Sequence, residues 1–181
     1  MSKNDQFIVH DGNRLANQIA ELVAMKPGDE FNPLTIYGPP GCGKTTLLME
    51  MKDAFIGKKV QYLTAREYLD LVFQTIKTDG PFETALQESF ARMKAFRNSF
   101  GNNLHVLILD QAEDLAGYEC TAIELSIIAE RLVKSNKQVV FAFNQAPECV
   151  FTPLETAHPL VSLLRSGTVI EIWNPIDSAK G

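Results

Sequence analysis

At 181 residues the chain has the length of one α/β domain, and a hydrophobic fraction of 45% is enough to bury a core. A net charge of −5 argues against broad, non-specific binding to nucleic acid, while leaving room for a local basic patch. No run approaches the roughly 18 consecutive apolar residues needed to cross a bilayer, and the polar start lacks the apolar stretch of a secretory signal. Three cysteines (Cys42, Cys120 and Cys149) share no metal-ligand spacing, so they read as reduced thiols in a cytoplasmic protein.

Taken in chain order, Asn13 to Met25 predicts an amphipathic helix with Leu15, Ile19, Leu22 and Val23 on one side, stopped by Pro27-Gly28-Asp29. Leu34 to Tyr37 reads as a short buried strand. It runs directly into Gly38-Pro39-Pro40-Gly41-Cys42-Gly43-Lys44-Thr45, which fits the G-x-x-x-x-G-K-[ST] phosphate-loop pattern. Glycines let such a loop turn tightly and point successive N–H groups inward, forming a nest for phosphate oxygens. Lys44 would reach the β- and γ-phosphates and the Thr45 hydroxyl would ligate Mg²⁺. A helix beginning near Lys44 adds the positive end of its dipole. The bland alternative, a chance glycine turn, is opposed by the strand before the loop and by Leu47, Leu48 and Met51 at helical spacing after it. Cys42 reads as a small residue that fits the loop, or as a thiol whose modification would block it.

The helix after the loop runs to about Phe55 and ends at Gly57, and Val60 to Leu63 forms the second strand. Thr64 and Glu67 have the spacing of a capping box that opens a helix from Ala65 to about Ile76. Asp79-Gly80-Pro81 breaks it. A longer helix then carries Phe82, Leu86, Phe90, Met93, Phe96 and Phe100 on one face, read as core. Arg92, Lys94 and Arg97 lie on the other, read as a solvated face or, as the alternative, a DNA-facing patch.

His105 to Asp110 is apolar until it ends in an acid, as a buried parallel strand would be if its carboxyl end carried a ligand site. Asp110 is thereby placed to hold the Mg²⁺ shell opposite the loop. Thr121 and Glu124 are read as caps of another helix, with Ile123, Ile127, Ile128 and Leu132 facing the sheet. Gln138 to Phe143 forms a fourth strand ending at Asn144, Val169 to Ile172 a fifth, and Asn174-Pro175 closes the domain. The resulting fold class is α/β: a P-loop NTPase three-layer sandwich, one domain over 1–181 with its core at about 7–176, whose five-stranded parallel sheet carries helices on both faces.

Several segments together resemble the AAA+ domain of the bacterial replication initiator DnaA family. Phe7-Ile8-Val9 followed by Asn13-Arg14-Leu15-Ala16 resembles its opening box, F-V-V-G-x-x-N-R-L-A. Asn32-Pro33-Leu34-Thr35-Ile36-Tyr37-Gly38 is similar to its N-P-L-F-I-Y-G entry to the phosphate loop. Val106 to Gly117 resembles its Walker B strand and the turn after it, and Lys137 to Pro147 its sensor-1 strand. The resemblance covers about residues 7 to 176 and implies an AAA+ base subdomain. It also implies that Phe7, Ile8, Val9 and Asn13 line an adenine pocket. Gly38, Pro39, Pro40, Gly41, Cys42, Gly43, Lys44, Thr45 and Thr46 would hold the phosphates of ATP or ADP, Thr45 and Asp110 the Mg²⁺. Asn144 would act on the γ-phosphate or attacking water.

Gln111 stands where that family has a second acid after the Walker B aspartate. An amide cannot accept a proton, so hydrolysis is slow if that acid is the base; small GTPases nevertheless orient water with a glutamine, so turnover remains compatible. The reading is tight binding with weak or partner-dependent hydrolysis. Glu113 and Asp114 are the candidates to substitute for that acid but, lying beyond the strand end, are assigned to the turn. Arg165 lies near the arginine-finger position, about two residues out of register, and reads either as that finger or as a surface arginine capping a helix C-terminus. The family's lid and helix-turn-helix have no counterpart before Gly181, which implies a chain without a sequence-specific DNA reader. Three functions follow. The leading one is a DnaA-like ATP-binding protein that acts in or regulates replication initiation by nucleotide-dependent assembly with another AAA+ subunit or with itself, a helicase loader being its variant. The others are a non-hydrolysing interaction module and a small-molecule kinase, for which no acidic acceptor site or arginine-rich lid follows the fourth strand.

Overall fold

Short apolar runs flanked by turn residues become strands covered on both faces, and the helical periods between them become the covers. The computed structural model describes residues 7–77, 81–101, 104–151 and 158–174. The elements run α1 (Arg14–Met25), β1 (Leu34–Tyr37), α2 (Lys44–Ala54), β2 (Val60–Thr64), α3 (Ala65–Ile76), α4 (Phe82–Gly101), β3 (Val106–Asp110), α5 (Glu119–Lys134), β4 (Gln138–Phe143), α6 (Pro147–Val150), α7 (Pro159–Arg165) and β5 (Thr168–Glu171), with a 3₁₀ turn at Ala112–Leu115 after β3. All strand pairs are parallel, in the order β2-β3-β4-β1-β5. The five-stranded parallel sheet expected from the sequence is therefore present, and none of the described helices is long and apolar enough to cross a membrane.

Alternation along each strand splits the core in two. Leu34, Ile36, Val106, Ile108, Val140 and Ala142 face α1 and α2, whereas Leu107, Leu109, Val139, Phe141 and Phe143 face α3, α4, α5 and α7. That is the three-layer arrangement. It brings the carboxyl ends of β1, β3 and β4 to one edge of the sheet, where open α/β sheets carry their ligand sites.

Side chains fasten the entrance to β1. Asn32 donates through Nδ2 to the Lys137 carbonyl (2.9 Å) and accepts from the Val139 N–H through Oδ1 (2.9 Å), so its amide extends the β4 ladder past the end of β1. Buried Gln138 reciprocates, accepting from Gly28 N–H and donating to the Phe31 carbonyl, each at 2.9 Å. Gly167 is required here because a Cβ would come within 2.1 Å of the Pro33 carbonyl oxygen. Replacing Asn32 by Ala is expected to lower unfolding stability by about 1–3 kcal/mol, because it strands a buried backbone donor and acceptor; an unchanged urea midpoint would show that water replaces both bonds.

Three helices differ from expectation. In α1 the buried side is Ala16, Ile19, Ala20 and Val23, while Leu15 and Leu22 are 60% and 48% exposed. The two alanines permit a close approach that leucines would block. In α4 the stripe is core only in its second half. Met93 and Phe100 are buried, and Phe96 and Phe100 pack against each other and against Tyr68. Phe90 is 69% exposed and Leu86 48%, in the half of α4 that lies by the end of α3, where Ser89 Oγ donates to the Ile76 carbonyl. The Phe82 side chain lies outside the described residues, as do Asp79, Gly80 and Pro175.

Thr121 and Glu124 do not cap α5. The helix starts at Glu119 after Tyr118, Thr121 is buried inside it, and Glu124 accepts from Arg97 Nε at 2.6 Å. Ile128 and Leu132 face the core as expected, joined by Ala122, Leu125 and Ala129, whereas Ile123 and Ile127 are only half-buried. By contrast, the capping box of Thr64 and Glu67 forms in full at the start of α3, and its two backbone and hydroxyl contacts hold the Glu67 carboxyl below its usual range. The short helix α6 was not expected, whereas α7 ends at Arg165 as in the alternative reading of that arginine; each opens on a proline at its first turn.

Candidate functional site

The loop after β1 rises from the sheet edge and returns as α2. Gly38 sits where a Cβ would meet the Ile172 carbonyl oxygen at 2.0 Å. Gly43, at φ +94°, is the residue immediately before α2, a left-handed conformation that glycine adopts without strain. Lys44 is buried despite its charge, and its ammonium donates to the Gly38 and Pro39 carbonyls at 2.7 and 2.9 Å, with Cys42 Sγ at 3.7 Å. Leu47, Leu48 and Met51 bury the inner face of α2 and so aim its amino end at the space above the loop.

That space is a cleft of about 450 Å³, lined by Pro40, Gly41, Gly43, Lys44, Thr45, Thr46, Asp110, Gln111, Glu113, Asp114 and Asn144. Three separate stretches of chain supply these residues, and the parallel sheet brings them together. Asp110 is 1% exposed at the end of β3. Its Oδ2 accepts from Thr45 Oγ1 at 2.7 Å and from Tyr62 OH at 2.7 Å, and its Oδ1 accepts from the Gln111 N–H at 2.8 Å. A phenol, a hydroxyl and a carboxylate thus converge on one point. Tyr62 was not foreseen from the sequence. It reaches Asp110 because β2 pairs with β3, and both burial and this carboxylate push its phenol pKa up.

Gln111 adopts a left-handed conformation (φ 55°) that turns the chain out of β3 into the 3₁₀ turn. Ala112 and Leu115 anchor that turn in the core, which leaves Glu113 on its cleft side. Glu113 accepts the backbone N–H of Asn144 (3.1 Å) through one oxygen and the Asn144 side-chain amide through the other. Desolvation raises its carboxyl pKa, opposed by bonds from its own and Asn144's backbone N–H groups and by the charge of Lys44. Glu113 and Asp114 lie in the turn beyond the strand end, as expected, and that turn lines the cleft.

The amino-terminal residues lie beside the loop and outside the cleft lining. The Phe7 N–H donates to Glu50 Oε1 at 3.0 Å, and the Phe7 ring lies where a Cβ on Gly43 would approach it to 3.2 Å. Ile8 and Val9 are 78% and 47% exposed. Asn13 is buried and serves as a brace, accepting from the His10 N–H (2.8 Å) and donating to the Ile8 carbonyl (3.0 Å). Cys42 is buried against the sheet rather than open to the cleft.

Against known proteins, the chain matches the family described as "Bacterial DnaA ATPAse domain" over residues 2–171. The chain belongs to that family. It is 32% identical over 176 residues to the chromosomal replication initiator protein DnaA of Caldanaerobacter subterraneus, spanning 94% of this chain and 36% of that relative. The chain thus spans about a third of the curated relatives it matches. Among solved structures, domain III of the Thermotoga maritima DnaA protein superposes with a TM-score of 0.79 at 27% identity, covering 95% of this chain and 67% of that one. A replication initiator DnaA bound to AMPPCP and single-stranded DNA gives 0.76 at 28%, covering 92% and 48%.

In this DnaA-type frame, Arg165 stands apart from the cleft, in the last turn of α7, where Nε and Nη2 both reach Glu148 Oε1 of α6 at 3.2 and 3.0 Å. Of the cations on α4, Arg97 is paired with Glu124 and Arg92 with Glu88. Among the described residues no group of three or more His, Cys, Asp or Glu could by itself hold a metal ion.

Proposed function

We propose that this chain binds ATP in the cleft above the phosphate loop, with Mg²⁺, and uses the bound nucleotide to assemble with another AAA+ subunit during DNA replication initiation. The observation that carries the reading is the direct bond of Thr45 to Asp110, next to a buried Lys44, at the mouth of a glycine loop. The relative solved with AMPPCP supports it by likeness.

A hydroxyl and a carboxylate oxygen 2.7 Å apart are hard donors of the kind Mg²⁺ accepts. The rest of an octahedral shell would come from phosphate oxygens and water, as is usual for this ion. When bound, the ion would neutralise charge on the phosphate tail. Lys44 does the same from the loop side, and the amino end of α2 adds its dipole. Gln111 has no basic oxygen to take a proton, so the position directly after Asp110 favours holding the nucleotide over rapid turnover. The exposed Arg165 and its Glu148 partner lie on a surface that a neighbouring subunit could read. DNA forms no part of the proposal: the net charge is −5 and Arg97 is held by a carboxylate.

Sedimentation in ADP and then in a non-hydrolysable ATP analogue, with and without a DnaA protein, tests the assembly. A larger species with the analogue is the expected result. An identical sedimentation pattern in both nucleotides would remove assembly while leaving binding to stand on its own measurement.

A further inference from the structure

Asn144 follows β4 directly, and its backbone N–H and its side-chain amide both donate to one carboxylate, that of Glu113. The turn that carries Glu113 is held from below by buried Ala112 and Leu115 and closed by the Asp114 N–H bond to the Gln111 carbonyl at 3.0 Å. The backbone that carries the carboxylate is therefore fixed beside the end of β4. It shares the cleft with Asp110 and Asp114 against a single lining cation, Lys44.

From this arrangement we infer that Glu113 sets the preference between nucleoside triphosphate and diphosphate, by occupying the Asn144 amide that a terminal phosphate would otherwise engage. The inference rests on the nucleotide-binding reading above and deepens it. A phosphate oxygen and a carboxylate oxygen are both acceptors and both anionic, so they compete for the Asn144 N–H and repel each other. A diphosphate ends one phosphoryl group earlier and meets neither effect. Burial lifts the Glu113 carboxyl above its ordinary range, consistent with a charge held at some cost in a partly desolvated place. Glu113 thereby acts as a built-in counterweight to the triphosphate, and Asn144 as the point at which the two anions meet.

Calorimetric titration of the full chain with AMPPCP and with ADP, each in Mg²⁺, tests this. In Glu113→Gln, which keeps the shape and loses the charge, AMPPCP affinity should rise roughly tenfold relative to ADP, equivalent to about 1.4 kcal/mol, with ADP affinity nearly unchanged. Equal shifts for the two nucleotides, or none, would overturn the inference while leaving nucleotide binding intact. In Asn144→Ala the gain from Glu113→Gln should shrink, because the shared donor is gone; a gain of undiminished size would reduce Glu113 to a general negative charge and reject the role given to Asn144. Binding of neither nucleotide by the unaltered chain would overturn the cleft's assignment itself, and the inference with it. Thermal melts of each variant identify a loss of folding, and in that event Glu113→Ala repeats the comparison.

Discussion

Lys44→Ala is expected to remove measurable ATP binding while leaving a folded protein. The ammonium is buried at the loop and is the only cation lining the cleft among the described residues. Truncating one partner of a buried, hydrogen-bonded charge pair costs about 2–5 kcal/mol, a loss of affinity of roughly thirtyfold to several thousandfold. Some of the effect will appear in the unliganded protein, because the Gly38 and Pro39 carbonyls lose their donor. Calorimetry gives the affinity and a thermal melt gives the folding cost. Undiminished affinity in a folded Lys44→Ala protein would end the phosphate-loop reading.

The second large effect is expected from Asp110→Asn, measured as the dependence of ATP affinity on Mg²⁺. An asparagine keeps an oxygen for Thr45 and Tyr62 and removes the charge, while the Gln111 N–H loses its acceptor, so a thermal melt reports the folding cost separately. Two unit charges about 4 Å apart interact by about 4 kcal/mol at an effective dielectric of about 20, so even half of that corresponds to more than a tenfold loss. Titrations in Mg²⁺ and in EDTA should therefore differ far less in the variant than in the unaltered chain. If the Mg²⁺ increment is the same in both, Asp110 takes no part in holding the ion.

The frame of this domain could be read from local chemistry. The glycines between Leu34–Tyr37 and Leu47, the Thr64 and Glu67 capping box, and the apolar run that ends at Asp110 each act over a few residues, and each appears as expected. The errors arose where tertiary contacts overrode a local pattern. Thr121 and Glu124 have the spacing of a cap, yet Glu124 is claimed by Arg97 from α4. Phe90 and Leu86 continue the period of a buried stripe into the half of α4 where both stay exposed. Tyr62 reaches Asp110, and Glu113 reaches Asn144, only because of the strand order β2-β3-β4-β1-β5, which places β2 beside β3 and the turn after β3 beside the end of β4. No single segment states that order. The family resemblance supplied the likeness to a known cleft, but it did not point to Tyr62 and left Glu113 to the turn.

The resting position of Lys44 bears on how quickly the cleft can fill. Its ammonium is solvated by neutral oxygens of its own loop, so an arriving anion has no ion pair to pull apart first. Much of the work of stripping water from that cation has been completed as the chain folds, and capture begins from a socket whose charge already stands in place.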